Sequence, residues 1–330
     1  MTGAPFHADV AAAPPGAAAR WLRTRDGKRI RAVFWTGGSR GTVIVLPGRT
    51  EYVEKYGKVV GRLTARGFSV AVLDWRGQGL SDRDPPFPEL GHVDDFRAYL
   101  LDLDALLAAP EIAAGPRPIL MLCHSMGGCV GLRALIERRD FAGSIFSAPM
   151  WGIRVGRAAG LLVRPLTGAV SWIGLGRRRL PGSGLGNRGG VEGNPLTTDL
   201  NAFRAAERQV TQHPELGLGP PSIHWISAAF REMAALRRLP SPSHPMLGFL
   251  GSEERVVEPQ AVIARFGQAS DAELVRCPGA RHEILMEREE IQVLVWSRID
   301  AYLDRVAPAQ SLASSPASSS GPSSASGRKS

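Results

Sequence analysis

A serine on a turn between a strand-like run and a helix-like run is the feature that most restricts how this chain can fold. Residues 119–123 form a short, continuously apolar run that is typical of a buried strand, and residues 128–136 have the pattern of a following helix. A sharp turn from a strand into a helix lifts a serine clear of the sheet and exposes its hydroxyl for attack. Ser125 is therefore the candidate nucleophile. Because Cys123 stands at the first glycine of the G-x-S-x-G pattern, the pattern alone is weak evidence and partners are needed elsewhere.

Two downstream loops supply candidate partners, and each follows a strand-like apolar run. His282 follows the last such run, and as a neutral imidazole it could take the proton of Ser125 and return it to a leaving group. Glu254 follows the run at 246–251 and could hold His282 in the required tautomer. Glu253 is adjacent, and because facing alternates along an extended loop only one of the two glutamates points inward. The alternatives are a structural histidine, and two solvated glutamates with an acid elsewhere.

A third loop follows the apolar run at 43–46 and begins with Pro47 and Gly48. In α/β sheets the loops at the carboxyl ends of the strands carry the ligand chemistry. A backbone N–H in this loop, together with the N–H that follows the nucleophile, can hold the oxyanion of a tetrahedral intermediate. The candidate donors are the N–H groups of Arg49 and Met126. The alternative is an ordinary strand-to-helix turn.

Strand-like and helix-like runs alternate along most of the chain, which predicts an α/β fold with a mostly parallel sheet and helices on both faces. The alternation stops near Pro149 and resumes at Pro245, so an inserted cap over the site is expected between them. Both ends are rich in small residues and are expected to lack fixed structure. The predicted organisation is a flexible segment at 1–20, a first core part at 21–150, a cap at 151–240, a second core part at 241–307 and a disordered tail at 308–330.

The formal net charge of +9 indicates attraction to something anionic. Residues 151–190 contain seven arginines and no acidic residue, with Trp and Leu interleaved, which suits contact with an anionic membrane surface. The alternative is a solvated basic face over an ordinary core. Nucleic-acid binding is not expected, because no recognised motif accompanies the charge.

Cysteine usage and hydropathy restrict the expected compartment. Three cysteines without metal-type spacing argue against a disulfide framework and favour a reducing compartment. The N-terminus lacks the basic region of a signal peptide, and no uninterrupted apolar run is long enough to span a bilayer. We therefore expect a cytoplasmic protein with peripheral contact at the inner membrane face, and the oligomeric state stays open.

Five stretches together resemble the monoacylglycerol lipase and bacterial lysophospholipase branch of the α/β-hydrolases. They are residues 48–56, 74–81, 124–128, 251–257 and 279–283. The chain order serine, acid, histidine is also that of the α/β-hydrolase triad. The resemblance covers roughly residues 20–306 and implies the α/β-hydrolase fold with an inserted cap. This sequence departs from the family pattern at two places. The family usually has aspartate at the position of Glu254, and it commonly has His-Gly at the positions of Pro47 and Gly48.

The resemblance implies a serine hydrolase with Ser125 as nucleophile, His282 as base and Glu254 as acid, acting without a metal or an organic cofactor. The implied substrates are lysophospholipids or monoacylglycerols, whose acyl ester is cleaved through an acyl-enzyme. Trp151 and Arg154, at the start of the cap, are expected to contact the substrate. The alternatives are a general carboxylesterase or a serine aminopeptidase on the same fold, and a catalytically silent homologue that binds a lipid or a protein partner.

Overall fold

A single mixed sheet forms the centre of the protein. The computed structural model describes residues 3–84, 87–138, 140–154, 176–179 and 193–309. The strands in these residues are β1 (Ala18–Arg23), β2 (Arg29–Trp35), β3 (Gly41–Leu46), β4 (Phe68–Leu73), β5 (Ile119–His124), β6 (Gly143–Ser147), β7 (Met246–Gly251) and β8 (Ala272–Cys277). They lie in the order β1-β2-β4-β3-β5-β6-β7-β8, in which β2 is antiparallel to β1 and β4 and the remaining neighbours are parallel. The predicted mostly parallel sheet is confirmed.

Helices connect the strands. They are α1 (Ala8–Ala11), α2 (Gly57–Thr64), α3 (Ala98–Leu107), α4 (Pro110–Ala113), α5 (Met126–Glu137), α6 (Leu200–Gln212), α7 (Ile223–Arg238), α8 (Pro259–Gly267) and α9 (Glu289–Val306). Short 3₁₀ turns lie at Val53–Tyr56, Pro214–Leu216 and Ile284–Met286. The side chains of Asp199 and Ser222 accept backbone N–H groups at the starts of α6 and α7, which satisfies donors that the helices themselves leave free.

The centre of the sheet is covered on both faces. Every residue of β3, β4, β5, β6 and β7 is buried. These strands are mostly continuous apolar runs, as expected for parallel strands buried on both sides, whereas β1 and β8 at the edges are mostly half-buried. Because β3, β5, β7 and β8 run in the same direction, the loops that carry the candidate site residues all emerge at one end of the sheet.

The N-terminal residues differ from the prediction of a flexible segment at 1–20. The ring of Phe6 meets Trp35 edge-on with centroids 5.7 Å apart, and the Trp35 indole N–H donates to the carbonyl of Pro14 over 3.0 Å. Strand β1 begins at Ala18, inside the range expected to be mobile. Composition suggested disorder, but an aromatic contact and backbone hydrogen bonds to the sheet hold this segment in place.

The segment between β6 and β7 contributes α6 and α7. Helix α7 packs against α5. The carboxylate of Glu232 on α7 accepts two hydrogen bonds from Arg133 on α5, at 2.6 and 3.0 Å. Residues 155–175, 180–192 and 310–330 lie outside the described residues, and with them most of the arginine-rich run and the predicted tail. The cap boundaries at 151–240 stay a prediction. None of the helices in the described ranges combines the length and apolar character needed to cross a bilayer.

Candidate active site

Ser125 lies on a sharp turn between β5 and α5. Its backbone has φ 48° and ψ −113°, a conformation that residues other than glycine rarely adopt. The turn brings α5 so close to β3 that a Cβ at Gly127 would collide with the carbonyl of Leu46. The Ser125 N–H donates to the carbonyl of Ser147 over 3.1 Å, and the Met150 N–H donates to the carbonyl of Ser125 over 2.8 Å. The surrounding backbone therefore holds this unusual turn beyond the carboxyl end of β5.

His282 lies within hydrogen-bonding distance of both side chains that are predicted to act with it. Nε2 of His282 is 3.0 Å from Oγ of Ser125, and Nδ1 of His282 is 2.8 Å from Oε2 of Glu254. All three residues are buried, with exposed fractions of 8% for Ser125, 4% for His282 and 3% for Glu254. They follow β5, β8 and β7, so the parallel sheet brings together residues that are far apart in the sequence.

Glu254, and not Glu253, faces His282. Its second oxygen, Oε1, accepts the N–H groups of Val256 and Val257 at 2.6 and 3.1 Å. Burial opposes ionisation of Glu254, but the hydrogen bond and charge of His282 and the two N–H groups outweigh it and lower the pKa of this carboxyl. The Glu253 side chain is 45% exposed. The glutamate that stands in place of the family's aspartate is thus held at both oxygens.

The two candidate oxyanion donors lie on the loops after β3 and β5. Met126 is the first residue of α5, so its N–H has no acceptor within the helix. Arg49 precedes Thr50, whose φ of 65° turns the loop after β3. In the described part of the chain, no hydrogen-bond acceptor is found for the Arg49 N–H. Arg49 also lines the same cavity as Ser125.

A buried ion network lies beside the loop after β3 that carries Arg49, and it was not anticipated from the sequence. The Glu51 carboxylate accepts hydrogen bonds from the Gly48 N–H and the Tyr56 hydroxyl, and it pairs with the Lys55 ammonium at 2.8 Å. Lys55 also pairs at 2.6 Å with Glu283, the neighbour of the candidate base. Burial opposes ionisation of Glu51, but Lys55 and the other contacts outweigh it and lower its pKa to about 2. The four-residue spacing of Glu51 and Lys55, which is typical of an ion pair along a helix, was the signal in the sequence that could have indicated this network.

Ser125 and His282 open onto a cavity of about 400 Å³ with mainly apolar walls. The apolar wall residues include Met150, Ile153, Leu196, Trp225, Ile226 and Phe230. All six belong to the segment between β6 and β7. A cavity of this volume and character suits a small molecule with a substantial apolar part.

Trp151 and Arg154 are not among the residues that line this cavity. The Trp151 ring stacks on Phe266 with centroids 5.5 Å apart, and its indole N–H donates to the carbonyl of Gly128 over 3.0 Å. Arg154 is exposed, and its Nη1 donates to the carbonyl of Glu254 over 2.9 Å. These contacts correct the expectation that both touch the substrate. Trp151 packs in the core against α5, and Arg154 supports the loop of the candidate acid.

The loop that carries His282 is bound to the segment leading into α6. The Glu283 N–H donates to the carbonyl of Leu196 over 2.6 Å, and the Arg281 guanidinium donates to the carbonyl of Asn194 over 2.8 Å. Hydrogen bonds from both neighbours of His282 therefore anchor its loop to a part of the cavity wall.

One cluster in the described residues has metal-type side chains, and it lies away from the cavity. The ligand atoms of His7, His213 and Glu215 are within 4.8 Å of one another. The two imidazole rings stack with centroids 3.7 Å apart and an interplanar angle of 23°, so a single ion cannot lie close to both ring planes. His213 instead contacts the carboxylate of Asp9 at 2.9 Å. This arrangement is that of a stacked ion-pair cluster.

Comparison with known proteins identifies the family of this chain. Residues 37–289 match the family model described as serine aminopeptidase, S33. Lysophospholipase L2 of Escherichia coli K12 is 30% identical over 287 residues, which cover 80% of each chain. Probable lysophospholipase L2 of Haemophilus influenzae is 24% identical and matches 80% of this chain and 84% of its own.

Solved structures show the same fold. A soluble variant of monoglyceride lipase from Saccharomyces cerevisiae, in complex with a substrate analogue, has a TM-score of 0.73 and 19% identity, covering 90% of this chain and 97% of its own. A carboxyl esterase from Bacillus coagulans has a TM-score of 0.69 and 18% identity, covering 89% and 99%. The family model spans most of the chain, and the Escherichia coli relative is matched over most of its length. The chain therefore belongs to the serine aminopeptidase S33 family of α/β-hydrolases, in the monoacylglycerol lipase and lysophospholipase branch, and is a carboxylic ester hydrolase.

Proposed function

We propose that this enzyme hydrolyses the single carboxylic ester of a lysophospholipid or a monoacylglycerol through an acyl-enzyme on Ser125. The observation that carries the proposal is the hydrogen-bonded series Ser125–His282–Glu254 at the edge of an apolar cavity. The names of similar proteins, lysophospholipase L2 and monoglyceride lipase, support a lipid ester as the substrate.

Acylation begins at the Ser125 hydroxyl. Nε2 of His282 takes the hydroxyl proton while the oxygen attacks the ester carbonyl carbon, and the carbonyl oxygen becomes an oxyanion. The N–H groups of Arg49 and Met126 donate to that oxyanion. His282 then passes the proton to the leaving glycerol oxygen, the C–O bond breaks, and the acyl group stays on Ser125.

Deacylation repeats the sequence with water as the nucleophile. His282 takes a proton from the water, whose oxygen attacks the acyl carbon, and returns a proton to Oγ of Ser125 as the fatty acid leaves. The Glu254 carboxylate accepts the Nδ1–H of His282, which keeps Nε2 free to receive a proton, and its charge stabilises the imidazolium that forms. No step requires a metal or an organic cofactor.

The charges at the cavity favour an ester over a peptide substrate. An aminopeptidase needs a carboxylate to hold the ammonium group of the peptide N-terminus. Two carboxylates that line the cavity, those of Glu51 and Glu283, both pair with Lys55. The described part of the cavity therefore offers an apolar wall for an acyl chain and no free carboxylate for an amine.

The enzyme is further proposed to work in contact with an anionic membrane surface on the cytoplasmic side. The support is the sequence at 151–190, which carries arginine, tryptophan and leucine without any acidic residue. Co-sedimentation with phosphatidylcholine vesicles that contain or lack phosphatidylglycerol tests this contact. We expect binding only to the anionic vesicles, weakened by salt because the charges are screened, and equal binding to both vesicle types would contradict it.

A substrate panel tests the proposed activity. Purified enzyme is assayed against a lysophospholipid, a monoacylglycerol and p-nitrophenyl butyrate, with Ser125→Ala as the control. We expect lipid turnover that is lost in the control, together with labelling by a fluorophosphonate probe that is lost in the same variant. Turnover of the short ester alone would contradict the lipid assignment, and no labelling of folded wild-type enzyme would contradict the serine mechanism.

A further inference from the structure

Arg49 is one of the residues that line the cavity at Ser125, and among the described residues its guanidinium has no carboxylate partner. Its Nη2 donates to the carbonyl of Gly219 over 2.6 Å, and its guanidinium lies 5.3 Å from the ring centroid of Trp225. Its Nε is shielded from solvent, and within the described ranges it has no hydrogen-bond partner. Burial lowers the pKa of this guanidinium to about 10, which leaves it charged at neutral pH.

Other buried arginines in the described chain are satisfied by the protein itself. Arg31, Arg76 and Arg133 each bind carboxylates, with closest contacts of 2.6 to 2.8 Å. Arg265 donates to two main-chain carbonyls at the end of α7. Arg49 has one carbonyl contact and no acid partner among the described residues. A partly buried charge with so few contacts favours an added anion.

The surroundings of Arg49 hold its guanidinium in place. A Cβ built on Gly91 would lie 2.9 Å from Nη2 and 3.3 Å from Nε of Arg49, so the guanidinium packs directly against a residue without a side chain. The Gly91 loop is bound to the Gly219 loop, because the Gly91 N–H donates to the carbonyl of Pro220 and the Gly219 N–H donates to the carbonyl of Glu89. Two paired loops thus form a fixed support for one cation at the cavity wall.

We infer that the Arg49 guanidinium binds the phosphate of a lysophospholipid, so that this site prefers lysophospholipids to monoacylglycerols; the inference rests on the function proposed above. The backbone N–H of the same residue is the proposed oxyanion donor, which places the guanidinium one arginine side chain away from the reacting carbonyl. In a 1-acyl lysophospholipid, three carbons and one oxygen separate the ester oxygen from the phosphorus. The arginine side chain and this part of the lipid are similar in their number of bonds, and a guanidinium forms paired, charge-assisted hydrogen bonds with phosphate.

A monoacylglycerol places a neutral hydroxyl where the lysophospholipid has its phosphate. That hydroxyl can accept a hydrogen bond but leaves the charge of Arg49 uncompensated. The phosphate group should therefore improve binding chiefly through a lower KM. The competing explanation is that Arg49 only supports the Gly219 loop, in which case its loss would harm both substrates equally.

Matched substrates separate the two explanations. Lysophosphatidylglycerol and monoacylglycerol with the same palmitoyl chain are assayed in the same non-ionic micelles, and the ratio of their kcat/KM values is compared between enzymes. We expect wild type to prefer the phospholipid and Arg49→Met to lower the ratio at least tenfold, mainly through KM, with Arg49→Lys in between. Arg231→Met is the matched control, because Arg231 is an exposed residue of α7 whose loss should leave the ratio unchanged.

A measurement on wild-type enzyme keeps the test independent of how well the variants fold. Ether analogues of the two lipids, which lack a cleavable ester, are used as competitive inhibitors of p-nitrophenyl butyrate hydrolysis. We expect the phosphate-containing ether to bind at least tenfold more tightly. An equal loss for both substrates in Arg49→Met, or equal inhibition by the two ethers, would overturn the role of Arg49 while the hydrolase stands. Failure to cleave either lipid would overturn both proposals.

Discussion

The sulfur of Cys123 occupies the space that a side chain at Gly131 would need, since a Cβ built on Gly131 falls 2.6 Å from that sulfur. Cys123 is in β5, and Gly131 lies in α5, the helix that follows Ser125. Cys123 therefore stands where the G-x-S-x-G pattern has its first glycine. The glycine at position 131 of α5 leaves the space that the cysteine side chain needs. This pairing explains how the turn at Ser125 forms with an incomplete pattern.

Replacing Gly131 by alanine should destabilise the protein. Both residues are buried, so the added methyl group overpacks the core and is expected to lower the free energy of unfolding by about 1–3 kcal/mol. The change is measured by urea unfolding. In the double variant Cys123→Gly/Gly131→Ala the overlap is gone, so the two changes should be clearly non-additive. Effects that add within about 0.5 kcal/mol would contradict the steric pairing.

Removing the Glu254 carboxylate should reduce catalysis without unfolding the protein. Glu254→Ala removes the group that fixes the His282 tautomer, and kcat for p-nitrophenyl butyrate is expected to fall by about 10³- to 10⁴-fold. Glu254→Asp keeps the charge but is shorter by one methylene, so it cannot bridge His282 and the two valine N–H groups as well and should lie between. Steady-state kinetics, with circular dichroism to check folding, measures both.

Glu253→Ala is the matched control for that experiment. Glu253 is the neighbouring carboxylate, and its side chain is 45% exposed. Its loss should leave kcat within a few fold of wild type. A larger loss in Glu253→Ala than in Glu254→Ala would move the acid role to the other glutamate.

The contribution of Glu51 to stability should depend on pH. The pKa of this carboxyl is lowered from its ordinary value of 4.5 to about 2, so the stability it provides is fully present above pH 4.5 and is lost as the pH falls towards 2. The stability difference between wild type and Glu51→Gln should be constant from pH 7 to 5 and shrink below 4.5. Urea unfolding at several pH values measures it, with Glu253→Gln as the exposed control. A difference that does not change with pH would contradict the assignment.

The buried ion cluster of Arg31 should be far more important for stability than an exposed pair. Arg31 donates to Glu54 and Asp74, and all three side chains are inaccessible to solvent. Arg31→Met leaves two buried carboxylates without a cation and is expected to cost about 3–5 kcal/mol of unfolding free energy.

The exposed pair of Arg29 and Asp82 provides the comparison. Their side chains are 49% and 34% exposed, so Arg29→Met is expected to cost about 0–1 kcal/mol. Comparable losses in Arg29→Met and Arg31→Met, measured by urea unfolding, would refute the importance given to burial.

The sheet and the triad geometry could be anticipated because their signals are local. Buried parallel strands are nearly continuous apolar runs, and Ser125, Glu254 and His282 each lie just past such a run. The fold then aligns the strand ends, so the proximity of the three residues follows from the direction of the strands. Alternation in a loop does not say which of Glu253 and Glu254 faces inward, and it was the family resemblance that implied Glu254, the one that contacts His282 in the structure.

Other features depend on contacts between distant parts of the chain. The order of the N-terminal segment depends on the packing of Phe6 against Trp35. The pairing of Lys55 with Glu283 joins residues that are 228 positions apart. A tryptophan at position 151 fits a core and a cavity wall equally well in sequence, and only its packing against Phe266 decides the matter.

The hydrogen bonds that join Glu283 to Leu196 and Arg281 to Asn194 have a consequence for how this enzyme can be altered. Leu196 belongs to the cavity wall, while Glu283 and Arg281 flank the proposed base. Widening the cavity by shifting residues 194–196 would break hydrogen bonds that anchor the loop of His282, the proposed base. A wider cavity and an aligned imidazole therefore constrain each other at residues 194–196. Changes for bulkier lipids are better made at the cavity residues on α7, Trp225, Ile226 and Phe230.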